Sequence, residues 1–319
     1  MKILVTGGAG FIGSHLCRRL LRAGHEITVL DDLSTGKREN LQGLDVRLIV
    51  ENVNEVKTTE NCIAEADCVF HLASAVGVRL IIDQPVRTIS SIVGGTEVVL
   101  RACNRMRKPF LLTSTSEVYG KGTHVPFRED DDTVMGATSK RRWSYATAKA
   151  LDEFLALAYW VENHLPVKIV RLFNTVGPRQ TGQYGMVVPS FVRQALRGEP
   201  ITVYGDGTQS RCFSHVEDIT WGLEKMMFCD EAAGQVVNLG NDQEITIWDL
   251  AERVRALTGS RSEIVLVPYA QAYGSGFDDM HRRVPCLDRA KQLLGYHPTR
   301  SLDDILRDVI DYEIKNLNC

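Results

Sequence analysis

Short, almost unbroken apolar runs rich in β-branched residues punctuate the first half of the chain. They read KILVT at 2–6, EITVLD at 26–31, VRLIV at 46–50, CVFHLA at 68–73, PFLLTS at 109–114 and VKIVRLF at 167–173. A strand with one wet face alternates apolar and polar residues. A run that does not alternate is dry on both faces, which is the situation of a parallel sheet covered by helices on either side. Between the runs, residues 13–23, 89–106 and 144–163 have the length of helices, and Asn163-His164 ahead of Pro166 predicts where the last one stops. This half is therefore predicted to be a doubly wound α/β sheet.

Beyond Gly177-Pro178 the texture changes. A helix over 187–197, a glycine-rich turn YGDGTQ at 204–209, a helix from Val216 and a strand QVVNLG at 235–240 are expected, the strand returning to the main sheet. On that division residues 1–177 with 234–243 form the larger domain. Residues 178–233 with 244–319 form a smaller, discontinuous α/β lobe. No internal repeat or low-complexity stretch interrupts either part.

Composition narrows the partners. With 319 residues, 44% of them hydrophobic, a substantial core is available. A formal charge of -3 and the lack of a dense basic run with interleaved aromatics argue against nucleic acid and for a small-molecule substrate. The eight cysteines form no CxxC pair and the histidines no HxxxH or HExxH pattern, so reduced thiols and no metal site are expected. Glycines interrupt the apolar opening MKILVTGGAGFIG, and no later run reaches about 18 apolar residues, so neither a signal peptide nor a membrane helix is expected. The cytoplasm is the default location.

Candidate chemistry is concentrated in three stretches. In KILVTGGAGFIGSHL, Gly7, Gly10 and Gly13 stand between the first strand and the first helix, where glycines allow a tight turn and close approach of a pyrophosphate to the helix N-terminus. Asp31 lies at the end of the second strand, placed to accept hydrogen bonds from adenosine ribose hydroxyls and to repel a 2′-phosphate, which favours NAD over NADP. In RRWSYATAKALDEF, Tyr145 and Lys149 share one helix face, and an ammonium beside a phenol favours the phenolate, as an oxidised nicotinamide would. The third stretch, TSTSEVYG at 113–120, brings hydroxyls and the carboxylate of Glu117 to a strand end.

In their order along the chain the three stretches resemble the extended short-chain dehydrogenase/reductase family, in its nucleotide-sugar epimerase, dehydratase and decarboxylase branch, along the whole chain. The resemblance implies a Rossmann-type doubly wound sheet, NAD as cofactor, a UDP-sugar substrate and a homodimer whose seam uses helices 89–106 and 144–163. It assigns the cofactor to Gly7, Gly10, Phe11, Ile12 and Gly13, then to Asp31, Asp32, Asn52 and Val53, and to Leu72, Ala73 and Lys149. Tyr145, Lys149, Thr115 and Glu117 fall on catalytic positions. Substrate contacts fall on Val76, Arg79 and Ser116, on Asn174 of LFNTVGPR, on Val188, on Val203, Tyr204 and Arg211 of ITVYGDGTQSRCFSHVEDI, and on Arg283 of RRVP. The implied chemistry has Tyr145 take the proton of a sugar 4-hydroxyl held by Thr115 while C4 loses hydride to NAD, giving a 4-keto sugar.

The fate of the ketone divides the branch. Ser116-Glu117 ahead of VYG, the RRWSY segment and the tail YGSGFDDMHRRVP resemble decarboxylases, and Glu117 suits either an acid or base near C5 or a group that orients its neighbours. Gly77-Val78-Arg79 instead resembles UDP-glucuronate 4-epimerases, with Arg79 set either against a substrate carboxylate or on the surface. A UDP-sugar 4-epimerase is placed first, a UDP-glucuronate decarboxylase second and a 4,6-dehydratase third. A non-catalytic NAD-binding protein ranks below these because Tyr145 and Lys149 are both present. Three departures from the family pattern stand out: Ile92 where an asparagine supports the active-site helix, Glu51-Asn52 for Gly-Asp, and Pro285-Cys286 for Pro-Asp.

Overall fold

The structure, a computed structural model, describes residues 1–74, 83–181, 186–269, 271 and 280–317. Each apolar run of the first half is a strand: β1 (Lys2–Thr6), β2 (Glu26–Leu30), β3 (Val46–Ile49), β4 (Cys68–His71), β5 (Phe110–Thr115) and β6 (Val167–Leu172). Among them lie α1 (Phe11–Arg22), α2 (Val56–Glu65), α3 (Pro85–Met106) and α4 (Trp143–Asn163). His164, in the left-handed conformation with φ 55°, ends α4 two residues before Pro166, as the sequence predicts. Then come β7 (Thr175–Val176), α5 (Val187–Arg197), β8 (Ile201–Tyr204), β9 (Ser210–Cys212), β10 (Ser214–His215), α6 (Val216–Phe228) and β11 (Val236–Leu239). The chain finishes with β12 (Glu244–Thr246), α7 (Ile247–Thr258), β13 (Ile264–Val267), α8 (Asp288–Leu294) and α9 (Leu302–Leu317).

The main sheet is parallel in the order β11-β6-β5-β4-β1-β2-β3, and β11 does return to it beside β6. This is the Rossmann-like α/β architecture expected. Its dryness on both faces is visible inside one strand. Ile3 and Val5 pack with Leu16 and Leu20 of α1, whereas Leu4 between them packs with Val99 and Leu100 of α3. The strand order turns back between β1 and β4, the kind of point where an open α/β sheet leaves a crevice outside its carboxyl ends.

A third apolar cluster, with Val188, Phe191, Val192, Leu250, Val254, Leu306 and Val309, forms the core of the smaller lobe. Its described strands pair two by two, β7 with β10, β9 with β12 and β8 with β13. Helix α6, which the sequence division gives to this lobe, packs elsewhere: Ile219, Leu223, Met226 and Met227 are buried with α1 and the sheet, joined by Leu287, Ala290 and Tyr296. Its apolar stripe meets that of α1 across one face of the sheet.

Among the described residues no helix is long and apolar enough to cross a membrane, no cluster of metal-ligating side chains occurs, and the seven described cysteines are free thiols.

Candidate active site

The crevice is built first by the glycine loop. Gly7 has φ +70°, and a Cβ there would stand 2.7 Å from the backbone nitrogen of Ala73; one at Gly13 would stand 2.2 Å from the Gly7 carbonyl oxygen. Leu72 and Ala73 thus close on the loop from the end of β4. Gly10 begins α1 with no side chain capping the helix and no acidic residue in the first turn, leaving the N-terminal amides to an anion. Phe11 and Ile12 form that first turn.

Asp31, 7% exposed, accepts the backbone N–H of Ala9 at 2.9 Å through Oδ2 and of Leu33 at 2.9 Å through Oδ1. Burial raises its pKa from the ordinary carboxyl value, and these amides oppose the rise. Each oxygen keeps a further lone pair, which fits a diol. Asn52 donates to Asp32 Oδ2 at 3.0 Å, so the residue that replaces the family's aspartate is tied to the end of β2, and Val53 is buried below it. These residues fit the adenosine and pyrophosphate of NAD. Asp31→Ala is therefore expected to weaken NAD by about tenfold or more, the scale of a lost charged hydrogen bond, with NADP much less affected. Calorimetric titration of both nucleotides checks this; an unchanged ratio of the two affinities contradicts the ribose role, even if both fall because the loop has lost its anchor.

The second group gathers where β5 ends. Thr115 caps the short 3-10 turn Ser116–Tyr119 by accepting the Glu117 N–H at 3.2 Å, and its hydroxyl bonds that of Tyr145 in the first turn of α4. Ile92, Val93 and Ala148 pack on the Tyr145 ring. Lys149, one turn further and 2% exposed, donates to Asp152 Oδ2 at 3.0 Å. The sequence expectation that Lys149 readies Tyr145 as a base is narrowed by this geometry. Burial, then the charge of Glu117, holds the phenol well above its ordinary value, and Asp152 also raises it. Lys149 therefore faces a carboxylate of its own, and Ile92 offers Tyr145 an apolar wall where an amide was expected.

Glu117 answers to two arginines. Its Oε2 accepts Arg142 Nη1 at 2.5 Å and its Oε1 faces Arg283 Nη1 at 2.6 Å, all three side chains being buried. Burial alone would raise the carboxyl, but the two guanidiniums outweigh it and hold its pKa at about 2. Arg142 also lies over the Trp143 ring, 5.4 Å from its centroid. The sequence reading missed Arg142, although its signal was the arginine pair of RRWSY, and gave Arg283 to the substrate. The chain folds Arg283 onto the strand end, against Glu117. A cleft of about 340 Å³ lined by Lys121, Met280, His281 and Arg282 adjoins the same two segments.

The remaining candidates divide. Asn174 donates to the Cys212 carbonyl at 3.0 Å, and Arg211 to the carbonyls of Ser210 at 2.7 Å and His281 at 3.3 Å, so these residues form one strip leading toward Arg283. Tyr204 is 37% exposed at the end of β8, and Ser116 is buried in the turn. Val188 and Val203 have side chains in the core of the smaller lobe, turned there by the apolar faces of α5 and β8. Val76 and Arg79 lie outside the described residues. Beneath the site, Arg171 of β6 grips both oxygens of Glu153, which also accepts from Ser114, and its guanidinium sits 4.7 Å from the Tyr119 ring centroid. This fixes α4 to β5 and β6.

The family model described as "NAD dependent epimerase/dehydratase family" matches residues 3–240. A UDP-N-acetyl-alpha-D-glucosaminuronate decarboxylase of Bacillus cytotoxicus is 40% identical over 99% of both chains. The crystal structure of a UDP-glucose 4-epimerase from Thermotoga maritima with UDP-glucose superposes with a TM-score of 0.91 at 30% identity, over 99% of this chain and all of that one. That of a UDP-glucuronic acid 4-epimerase from Bacillus cereus, with UDP-glucuronic acid and NAD, superposes with a TM-score of 0.88 at 29% identity and the same coverage.

Proposed function

The chain belongs to the NAD-dependent epimerase/dehydratase family, and from that premise we propose that it oxidises C4 of a UDP-linked hexuronate and uses the ketone to release the C5 carboxylate as carbon dioxide. The observation that carries this reading is the buried trio Arg142, Glu117 and Arg283, one turn from Thr115 and Tyr145. Its net single positive charge draws a sugar carboxylate to the C5 side. Because Glu117 already engages both guanidiniums, that carboxylate is held without being fully neutralised.

Bound NAD supplies the hydride acceptor at C4 and the donor for its return. Thr115 orients the 4-hydroxyl and Tyr145 takes its proton, the phenol being lowered only when positive charge is brought against it. The 4-ketone is β to the carboxylate. As the C5–C6 bond breaks, charge leaves the carboxylate and collects on the C4 oxygen, where the Tyr145 and Thr115 hydroxyls donate to it. A proton taken from water at C5 replaces the lost carboxylate and completes the step. The strip of Asn174, Arg211 and Tyr204 is assigned to the nucleoside diphosphate.

The decarboxylase relative supports this order over the one drawn from sequence, and the structural likeness to 4-epimerases supports epimerisation of the same C4 centre as the second reading. Incubation with UDP-glucuronate, its 2-acetamido counterpart, UDP-glucose and UDP-N-acetylglucosamine, with mass spectrometry of the products, separates them. Loss of 44 mass units from a uronate is expected, 44 being about the mass of carbon dioxide lost in the C5–C6 cleavage. Interconversion of 4-epimers at constant mass, or loss of water, would replace the proposal with the epimerase or the dehydratase.

The chain is also proposed to be a homodimer. Leu151, Phe154 and Val161 on α4, with Val86 and Ile89 on α3, leave an exposed apolar stripe on adjacent helices, suited to a second copy across a two-fold axis. Phe154→Glu is expected to shift the protein to a monomer in sedimentation velocity runs. A wild-type monomer, or a variant that still dimerises, removes this seam.

A further inference from the structure

The proposed chemistry leaves one buried charge on α4 without a part. Asp152 has no exposed surface and lies nearly one turn beyond Lys149 on the same helix, its Oδ2 3.0 Å from Lys149 Nζ. A buried carboxylate costs too much to persist unpaired, and burial does raise its pKa from the ordinary value while Lys149 opposes the rise. Behind it stands Thr96 of α3, whose hydroxyl also opposes the rise. His71, at the end of β4, then joins Thr96 Oγ1 through Nε2 at 3.2 Å and Thr6 Oγ1 through Nδ1 at 2.8 Å. Thr6 accepts the Ala73 N–H at 3.2 Å, the amide on which Gly7 closes. Burial, then the charge of Lys149, bring the His71 pKa down to about 3, so this imidazole is a neutral link. A polar chain thus runs from Lys149 through Asp152, Thr96 and His71 to the glycine loop.

We infer that Asp152 is a positioning residue that anchors the Lys149 ammonium and offsets its charge, so that Tyr145 stays a phenol until the substrate complex forms. The groups facing Tyr145 and Lys149 can be named by element. Glu117, on the turn after β5, is matched by Arg142 and Arg283; Glu153, on α4, is matched by Arg171; His71, on β4, is neutral; Thr96 and Thr115 carry no charge. Asp152 is the carboxylate paired with Lys149. The inference rests on Tyr145 and Lys149 handling the C4 proton and is independent of what happens at C5.

The test uses Asp152→Asn in the NAD-loaded protein and tracks tyrosinate absorbance against pH, with the spectrum of Tyr145→Phe subtracted. No sugar is needed, so the result stands whichever reaction the substrate panel reveals. The Tyr145 midpoint is expected to fall in the variant, giving about tenfold more phenolate at a fixed pH below it. A midpoint that stays or rises, or a Tyr145 that ionises in neither protein before the fold is lost, overturns the inference. Should Asp152→Asn fail to fold by circular dichroism, Thr96→Val weakens the same carboxylate and is expected to move the midpoint down by less; an unmoved midpoint there is equally fatal.

Discussion

Tyr145→Phe is expected to slow C4 oxidation by about 1,000-fold, the scale of a lost positioned acid or base, while NAD remains bound. The two effects separate because the cradle at Gly7, Gly13, Asp31 and Ala73 contains no atom of Tyr145. The ring itself is held by Ile92, Val93 and Ala148, so removal of its one hydroxyl leaves the packing intact. Thr115 alone then holds the sugar oxygen and has nowhere to pass its proton. A single-turnover measurement of NADH absorbance, alongside nucleotide content of the purified variant, reads both quantities. Near-normal NADH formation would remove Tyr145 from the mechanism, and loss of NAD would show that the ring is structural.

Glu117→Gln is expected to divide the reaction in two. Carbon dioxide release should fall by about 100-fold, as when a charged group aimed at a reacting centre is lost, while oxidation at C4 continues and the NADH signal builds up behind the blocked step. The amide leaves Arg142 and Arg283 with two positive charges and one neutral acceptor, so a sugar carboxylate is gripped too firmly to leave. Equal loss of both half-reactions would make Glu117 a scaffold, and unchanged release would end the decarboxylase reading. Stability must be measured in parallel, since removing one member of a buried ion pair typically costs about 3–5 kcal/mol. The pH dependence has a definite sign. With a folded pKa of about 2 against an ordinary 4.5, the stabilisation from Glu117 is complete above 4.5 and is lost as pH falls toward 2. The wild type should therefore lose stability across that window more steeply than the variant, and assays near neutrality lie outside it.

The sheet was legible because dryness on both faces is written locally, in runs such as Lys2–Thr6 that do not alternate. The glycine loop and the Tyr145-Lys149 pair were legible for the same reason, being short spacings on one turn or one helix. Helix α6 was not: an amphipathic stripe says that one face is covered, and only the tertiary fold says that α1 covers it. The same limit applied to Glu117. Its charge was conspicuous in TSTSEVYG, but Arg283 reaches it from the far end of the chain, and no periodicity links the two. For Tyr145 the neighbouring ammonium was visible and the extent of burial was not, which reversed the sign of what the protein alone does to its phenol.

The path of the chain between its two layers bears on how enzymes of this design diversify. After β6 it enters the smaller lobe, comes back as α6 and β11 to cover and extend the sheet, departs again through β12 and α7, returns to pack Leu287, Ala290 and Tyr296 beside α6, and leaves a last time as α9. No single cut separates a cofactor half from a sugar half. A crossover grafting the lobe of one relative onto the sheet of another would sever α6 or β11 from the strands they cover. Substitutions in place leave this packing intact, whereas an exchange of whole segments breaks it.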